Sequence, residues 1–384
     1  MHKNSYIYKL LVTVLVGYMF YYRGFNLGIL SAGVMMPTLS IIIFFIFFFS
    51  RESRCINVEF SILVAILLFY TLTISLIHTE NIVENFIFLL EVILSLIVYY
   101  IGYIAYKIYG LEFVAKSIAY SSIPILAIVI FLFIDNDAIR RIGAGDRGTG
   151  LNMGVNHLAQ SVTIAFMSFF YLYKTNKSFM LLLLSGLTFF VALLPVSRAS
   201  ILGLLFSMGY YFRIKFIILM LFAVIVFSAL WLFDKSIILE NFITSRLFLV
   251  DSLSLAAESR LEVMYSNMLE VEYINFFTGQ PWRYGPIDPN NGIMYPHNIV
   301  LSIFLHMGII FAVSFSYYTF SVFFNIFRIG RFDISKVYLL SIFTVTILYS
   351  STSGRLTRIL VIFYILGIVQ SYISGKKKLW RHCK

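Results

Sequence analysis

Residues 298–326 read NIVLSIFLHMGIIFAVSFSYYTFSVFFNI, without one Asp, Glu, Lys or Arg. A helix needs roughly 20 apolar residues to cross a bilayer, and this run exceeds that. Eleven further runs of similar character lie near 6–22, 27–49, 58–77, 83–105, 113–134, 155–173, 178–195, 199–212, 216–233, 337–350 and 359–374. Polar punctuation separates them. The fold expected is an all-α membrane protein of about 12 transmembrane helices, with one large external loop containing short amphipathic helices. Residues 1–233 hold helices 1–9, residues 234–296 form the external loop, and residues 297–384 hold helices 10–12 and a basic cytoplasmic tail.

Composition agrees. The 384 residues are 60% apolar and 12% charged. Soluble domains run nearer 45–50% and about 25%. That excludes a soluble enzyme and a disordered chain. Two cysteines, Cys55 and Cys383, exclude a disulfide scaffold. The first run has Lys3 and Lys9 in front of it, as a signal peptide would. However, Tyr18, Phe20, Tyr21 and Tyr22 stand where small cleavage-site residues are needed, so it reads as a retained span.

Lys and Arg in short loops set orientation. With a cytoplasmic N-terminus and alternating spans, 18 basic residues fall inside and 11 outside. The inner set is 12 Lys and 6 Arg. The outer set is Lys235 and ten arginines: Arg23, Arg140, Arg141, Arg147, Arg198, Arg246, Arg260, Arg283, Arg355 and Arg358. Arg is favoured where a planar fork holds phosphate or carboxylate at two points. An outer face nearly without lysine therefore points to a bound anion. The other reading pairs these arginines with the eight acidic residues of 234–296. No cytoplasmic loop exceeds about a dozen residues, too few for a nucleotide-binding core.

Four outer segments carry polar chemistry. The first, Arg140 to Gly148, contains Gly143-Ala144-Gly145-Asp146-Arg147-Gly148, a formal GxGxxG. It lacks the βαβ context and the lysine of a P-loop. What remains is an anion concavity of backbone N–H groups flanked by arginines, or a flexible loop. Asp135 and Asp137 have the form of a sugar-nucleotide metal site, but read as a solvated cap. No metal and no cofactor is expected. Asn156-His157 opens the next span, either capping it or facing a cavity.

The second segment is Leu193-Leu194-Pro195-Val196-Ser197-Arg198-Ala199-Ser200. Here Arg198 either snorkels to the interface or turns into the bundle to hold an anion, with Ser197 capping the next helix. The third is the loop 234–296. Ala257, Leu261, Met264, Met268 and Val271 form an apolar helical stripe beside Arg260. Pro281, Pro286, Pro289 and Pro296 then stiffen the segment carrying Trp282, Arg283, Tyr284 and Tyr295. Flat aromatic rings with polar tips suit a sugar. That loop ends at the exit Pro296-His297-Asn298, and the fourth segment is the short loop 351–358. His297 suits proton transfer near neutral pH, or else caps the helix.

Taken in order, these pieces resemble the bacterial O-antigen polymerase and O-antigen ligase family of polytopic membrane glycosyltransferases. The likeness rests on Gly148-Thr149-Gly150-Leu151-Asn152 through Asn156-His157-Leu158-Ala159, on Ser197-Arg198-Ala199-Ser200, on the large loop with Arg260, and on Pro296-His297-Asn298 with Gly308 following. It covers roughly residues 145–320. It implies a metal-independent enzyme in the bacterial inner membrane, with both termini cytoplasmic and its site facing the periplasm. The donor is a glycan on undecaprenyl pyrophosphate, and a chain-length regulator and a flippase of the same pathway are implied partners. The bilayer is the surrounding; nucleic acid is not a partner. Arg198 and Arg260 take the pyrophosphate-binding roles, and His297 serves the acceptor hydroxyl. Charge and position add Arg147 and Arg283 to the pyrophosphate set. Trp282, Tyr284, Tyr295 and Asn298 are the expected glycan contacts.

The leading expectation is a polymerase joining lipid-linked repeat units. A ligase moving glycan to a lipid A core, a lipid-linked oligosaccharide flippase and a non-catalytic scaffold are the alternatives.

Overall fold

The computed structural model describes residues 5–21, 32–48, 65–66, 69–70, 73, 82–134, 155–193, 198–212, 273–279, 298–329, 332–352 and 360–382. Among these residues every regular element is helical and none is a strand. In chain order the helices are α1 (Ser5–Phe20), α2 (Ala32–Phe48), α3 (Ile82–Ser121), α4 (Ile123–Ile134), α5 (Val155–Asn176), α6 (Phe179–Leu193), α7 (Arg198–Phe212), α8 (Tyr273–Thr278), α9 (Ile299–Arg328), α10 (Ile334–Thr352) and α11 (Leu360–His382). Among the described residues two stretches, Leu89–Ile128 and Ile299–Arg328, are long and apolar enough to cross a membrane. The expected span 216–233 and the stripe 257–271 lie outside the described residues.

The surface is inverted relative to a soluble bundle. On α9, Ile310, Val313, Tyr317, Phe320 and Phe324 form an exposed stripe at helical spacing. Phe179, Leu183, Leu187 and Phe190 do the same on α6. Meanwhile Ser40, Ser95, Gln160, Ser168, Ser207 and Ser341 are buried. A water-soluble protein avoids so large an exposed apolar area. A hydrocarbon surrounding removes the conflict.

Small residues let the helices approach closely. Gly102 of α3 rests on the Tyr364 carbonyl of α11, and Gly367 of α11 rests on the backbone of Tyr99 and Tyr103. A Cβ at either place would collide with main chain, so α3 and α11 form a close-packed, parallel pair. Several buried hydroxyls are satisfied within their own helix. Thr163, Ser168, Ser207, Ser341, Thr346 and Ser350 each donate to the carbonyl four residues back.

Two glycines bend the chain sharply within continuous helical stretches. Gly110 has φ 78° and ψ 176°, a combination open essentially only to glycine. Before it, Gly102 and Tyr106 run down α11 beside Tyr364 and Tyr372. After it, Tyr120 meets Phe169 and Ser117 meets Thr13, so the chain climbs back between α5 and α1. The loop expected between spans 83–105 and 113–134 thus reduces to one residue. Gly308 repeats the device, with φ 81° and ψ 174°. The stretch 298–326, expected as one span, is therefore two helical segments. Equal torsions between helical segments impose an equal bend. Residues 309–328 alone supply about 30 Å at 1.5 Å per residue, enough for a crossing. Residues 299–307 form a separate half-helix. Seven of its nine residues, Ile299, Ser302, Ile303, Phe304, Leu305, His306 and Met307, are buried, while Val300 is exposed.

Helix α8 belongs to the loop 234–296 and docks on that half-helix. Gly279 (φ 72°) lies against the His306–Met307 backbone, and Gly308 lies against the Phe277 carbonyl. The Tyr70 hydroxyl donates to the Thr278 carbonyl and lies 3.5 Å from the His306 carbonyl.

At the opposite end of the bundle Lys336 closes the turn between α9 and α10. It is fully buried. Its ammonium donates to the carbonyls of Phe327 (2.7 Å) and Ile329 (3.1 Å) and lies 4.4 Å from the centre of the Phe332 ring. Asp333 accepts from the Lys336 backbone N–H and so caps α10. Lys336→Met keeps the packing but strands two carbonyls. It should cost about 1–3 kcal/mol, read as a lower melting temperature of the purified protein. An unchanged melt would show that water replaces the ammonium.

Candidate functional site

The first turns of α5 and α7 lie side by side at one end of the bundle, and helical register shows it. His157 of α5 lies against Tyr349 of α10, ring centres 6.0 Å apart. Eleven residues further along α5, the Ser168 hydroxyl is 2.8 Å from the Tyr338 hydroxyl, eleven residues back along α10. The two helices are antiparallel and in step. On the other side of α10, Gly203 of α7 packs on Val345, so closely that a Cβ would stand 2.9 Å from the valine side chain. Tyr210 then reaches Thr344 (3.3 Å) and lies beside Phe327, near the start of α10. So α7 also runs antiparallel to α10. Five residues from Gly203 toward the start of α7 lead to Arg198. Five residues onward from Val345 lead to Ser350, which is level with Asn156 of α5.

Arg198 is the first residue of α7. Asn156 and His157 occupy the first turn of α5. Helix starts carry unpaired N–H groups and the positive end of the helix dipole. Two of them, with an arginine in one, give this end of the bundle a positive field suited to an anion. His157 is buried, which places its ring inside the bundle. Of the two roles open to the Asn156-His157 pair, the histidine takes the interior one.

The polar face continues inward. His157, Gln160 and Ser161 follow at i, i+3 and i+4 and are all buried. Gln160 and Ser161 were not picked out in the sequence, although their spacing beside His157 in an apolar run was a readable signal.

Asn298 caps the half-helix that leads to Gly308. Its Oδ1 accepts from the N–H groups of Val300 (2.8 Å) and Leu301 (3.2 Å). The other expected site residues, Arg147, Arg260, Arg283, Trp282, Tyr284, Tyr295 and His297, lie outside the described residues, as do Asp135 and Asp137. Among the described residues no three His, Cys, Asp or Glu side chains gather as metal ligands would.

Compared with known proteins, the chain matches no family model and no curated protein.

Proposed function

We propose that the chain is a polytopic enzyme of the bacterial cytoplasmic membrane, with about 12 spans and a periplasmic loop at 234–296. In this reading it joins repeat units of a surface polysaccharide carried on undecaprenyl pyrophosphate. One observation carries the reading. Asn156-His157 and Ser197-Arg198, about 40 residues apart in sequence, are two of the four pieces of the family resemblance. Register brings His157 and Arg198 to one level at one end of the bundle.

The chemistry follows from the residues. An acceptor sugar hydroxyl attacks the anomeric carbon of the donor glycan. The new C–O bond forms as the bond to the pyrophosphate breaks, and the electron pair leaves with the lipid pyrophosphate. Arg198 and Arg260, with Arg147 and Arg283, neutralise the charge growing on that leaving group. His297 takes the hydroxyl proton. A single displacement inverts the anomeric centre.

The test is direct. Purified protein in detergent, given undecaprenyl-pyrophosphate-linked repeat units, should produce a ladder of longer lipid-linked glycans. Glycan appearing only on added lipid A core would make it a ligase instead. No new glycosidic bond with either acceptor would refute the catalytic reading. His297→Ala should lower the extension rate about 10²–10⁴-fold at normal protein level. Wild-type turnover in that variant would remove His297 from the chemistry.

A further inference from the structure

Gln160 and Ser161 are each 1% exposed. Among the described residues, neither amide atom of Gln160, nor the Ser161 hydroxyl, has a hydrogen-bond partner. Their neighbours differ. Thr163 and Ser168 on the same helix, and Thr346 and Ser350 on α10, all donate to a carbonyl one turn back. The hydroxyls of Ser40, Tyr211, Thr319 and Tyr364 also lack a partner, but among the described residues only Gln160 and Ser161 stand next to each other on one helix. Register sets Gln160 level with Thr346, and Ser161 level with Val345, where Gly203 contributes no side chain. The facing stretches 155–165, 199–207 and 342–350 contain no Lys, Arg, Asp or Glu.

We propose that this face of α5 is a subsite for a neutral, hydroxyl-rich group, a sugar ring of the glycan. The proposal rests on the glycan-transfer reading above and extends it to residues that the family resemblance does not name. A carboxamide offers two N–H donors and a two-lone-pair acceptor, and a serine hydroxyl is both donor and acceptor. Neighbouring sugar hydroxyls match that set. The Tyr349 ring beside His157 adds a flat apolar surface of the kind sugars lie on. A charged group belongs about one turn farther out, at the level of Arg198, since an unpaired charge beside Gln160 and Ser161 is strongly disfavoured. The face is closed over in the structure, so the ring enters when the adjoining ends of α5 and α10 part. Orphaned polar groups weaken the closed packing, and binding restores their hydrogen bonds.

The test uses full-length protein in a sugar-free detergent. Saturation-transfer NMR is recorded with methyl α-glucoside, methyl α-galactoside and N-acetylglucosamine. Wild-type protein should give a signal with at least one probe. Gln160→Met, which keeps the length of the side chain, should reduce it at least fivefold and melt at the same temperature or higher. Ser161→Ala, the milder change, should reduce it severalfold. No signal from any probe, an undiminished signal in both variants, or a lower melting temperature for Gln160→Met would each overturn the subsite. The lipid-linked extension assay is read separately. Sugar signals that respond as expected, with no extension by wild type, would sink the transfer reading and leave the subsite. Extension by wild type with sugar signals indifferent to both variants would sink the subsite alone.

Discussion

Arg198→Ala is expected to yield no detectable polymer from membranes that carry the variant at wild-type level. The substitution removes a planar charge at the start of α7, level with His157. A preorganised group facing charge that develops in the transition state is worth about 10²–10³ in rate by itself. Loss on that scale takes a processive ladder below detection. Arg198→Lys sharpens the result. It keeps the charge and the helix start but loses the two-point fork, and should remain at least about tenfold below wild type. Lipid-linked ladders resolved by gel, normalised to protein in the membrane, measure both. Full activity in Arg198→Ala would refute the pyrophosphate assignment. Wild-type turnover in Arg198→Lys would reduce it to a nonspecific charge effect.

The second large effect is structural. Gly308→Ala should lower stability by at least about 3 kcal/mol, since two costs coincide. The backbone at φ 81° and ψ 174° excludes an L side chain, and a Cβ would collide with the Phe277 carbonyl of α8. Two other glycines separate these costs. Gly110 has the same torsions, but nothing lies within 4 Å of its added Cβ, so Gly110→Ala should show only the strain, about 1–3 kcal/mol. Gly186 sits in α6 with ordinary torsions and open space, and Gly186→Ala should stabilise by up to about 1 kcal/mol. Melting temperatures of the three purified variants should rank Gly186→Ala above wild type, then Gly110→Ala, then Gly308→Ala. Equal values for the last two would show that α8 does not bear on Gly308.

Helix positions were readable because apolar runs bounded by polar residues leave little choice in a chain this rich in Phe, Ile and Leu. The run at 155–173 is α5 and the run at 199–212 is α7, each within a few residues. The bend at Gly308 was not readable. Met307-Gly308-Ile309 has no proline and no polar flank. The contact that holds the bend comes from Phe277, about 30 residues earlier. Gly110 was partly readable, since Lys107 and Glu112 mark a break there, but nothing in that pattern reduces the loop to one residue. At the candidate site, the position of Arg198 at a helix start was legible, because a lone arginine between two apolar runs demands an account. Gln160 and Ser161 could be read only as a polar pair beside His157, because a buried hydroxyl usually bonds back to its own helix. Only the packing reveals that Ser161 does not, and that the Gln160 amide also lacks a partner.

The pairing of Gly102 with Tyr364, and of Gly367 with Tyr99, bears on biogenesis. These partners are separated by about 260 residues, so at roughly 5–20 residues per second the ribosome adds the second about 10–50 s after the first. Through that interval the groove along α3 waits for a helix not yet made. Assembly of the bundle therefore finishes only after α11 has left the ribosome.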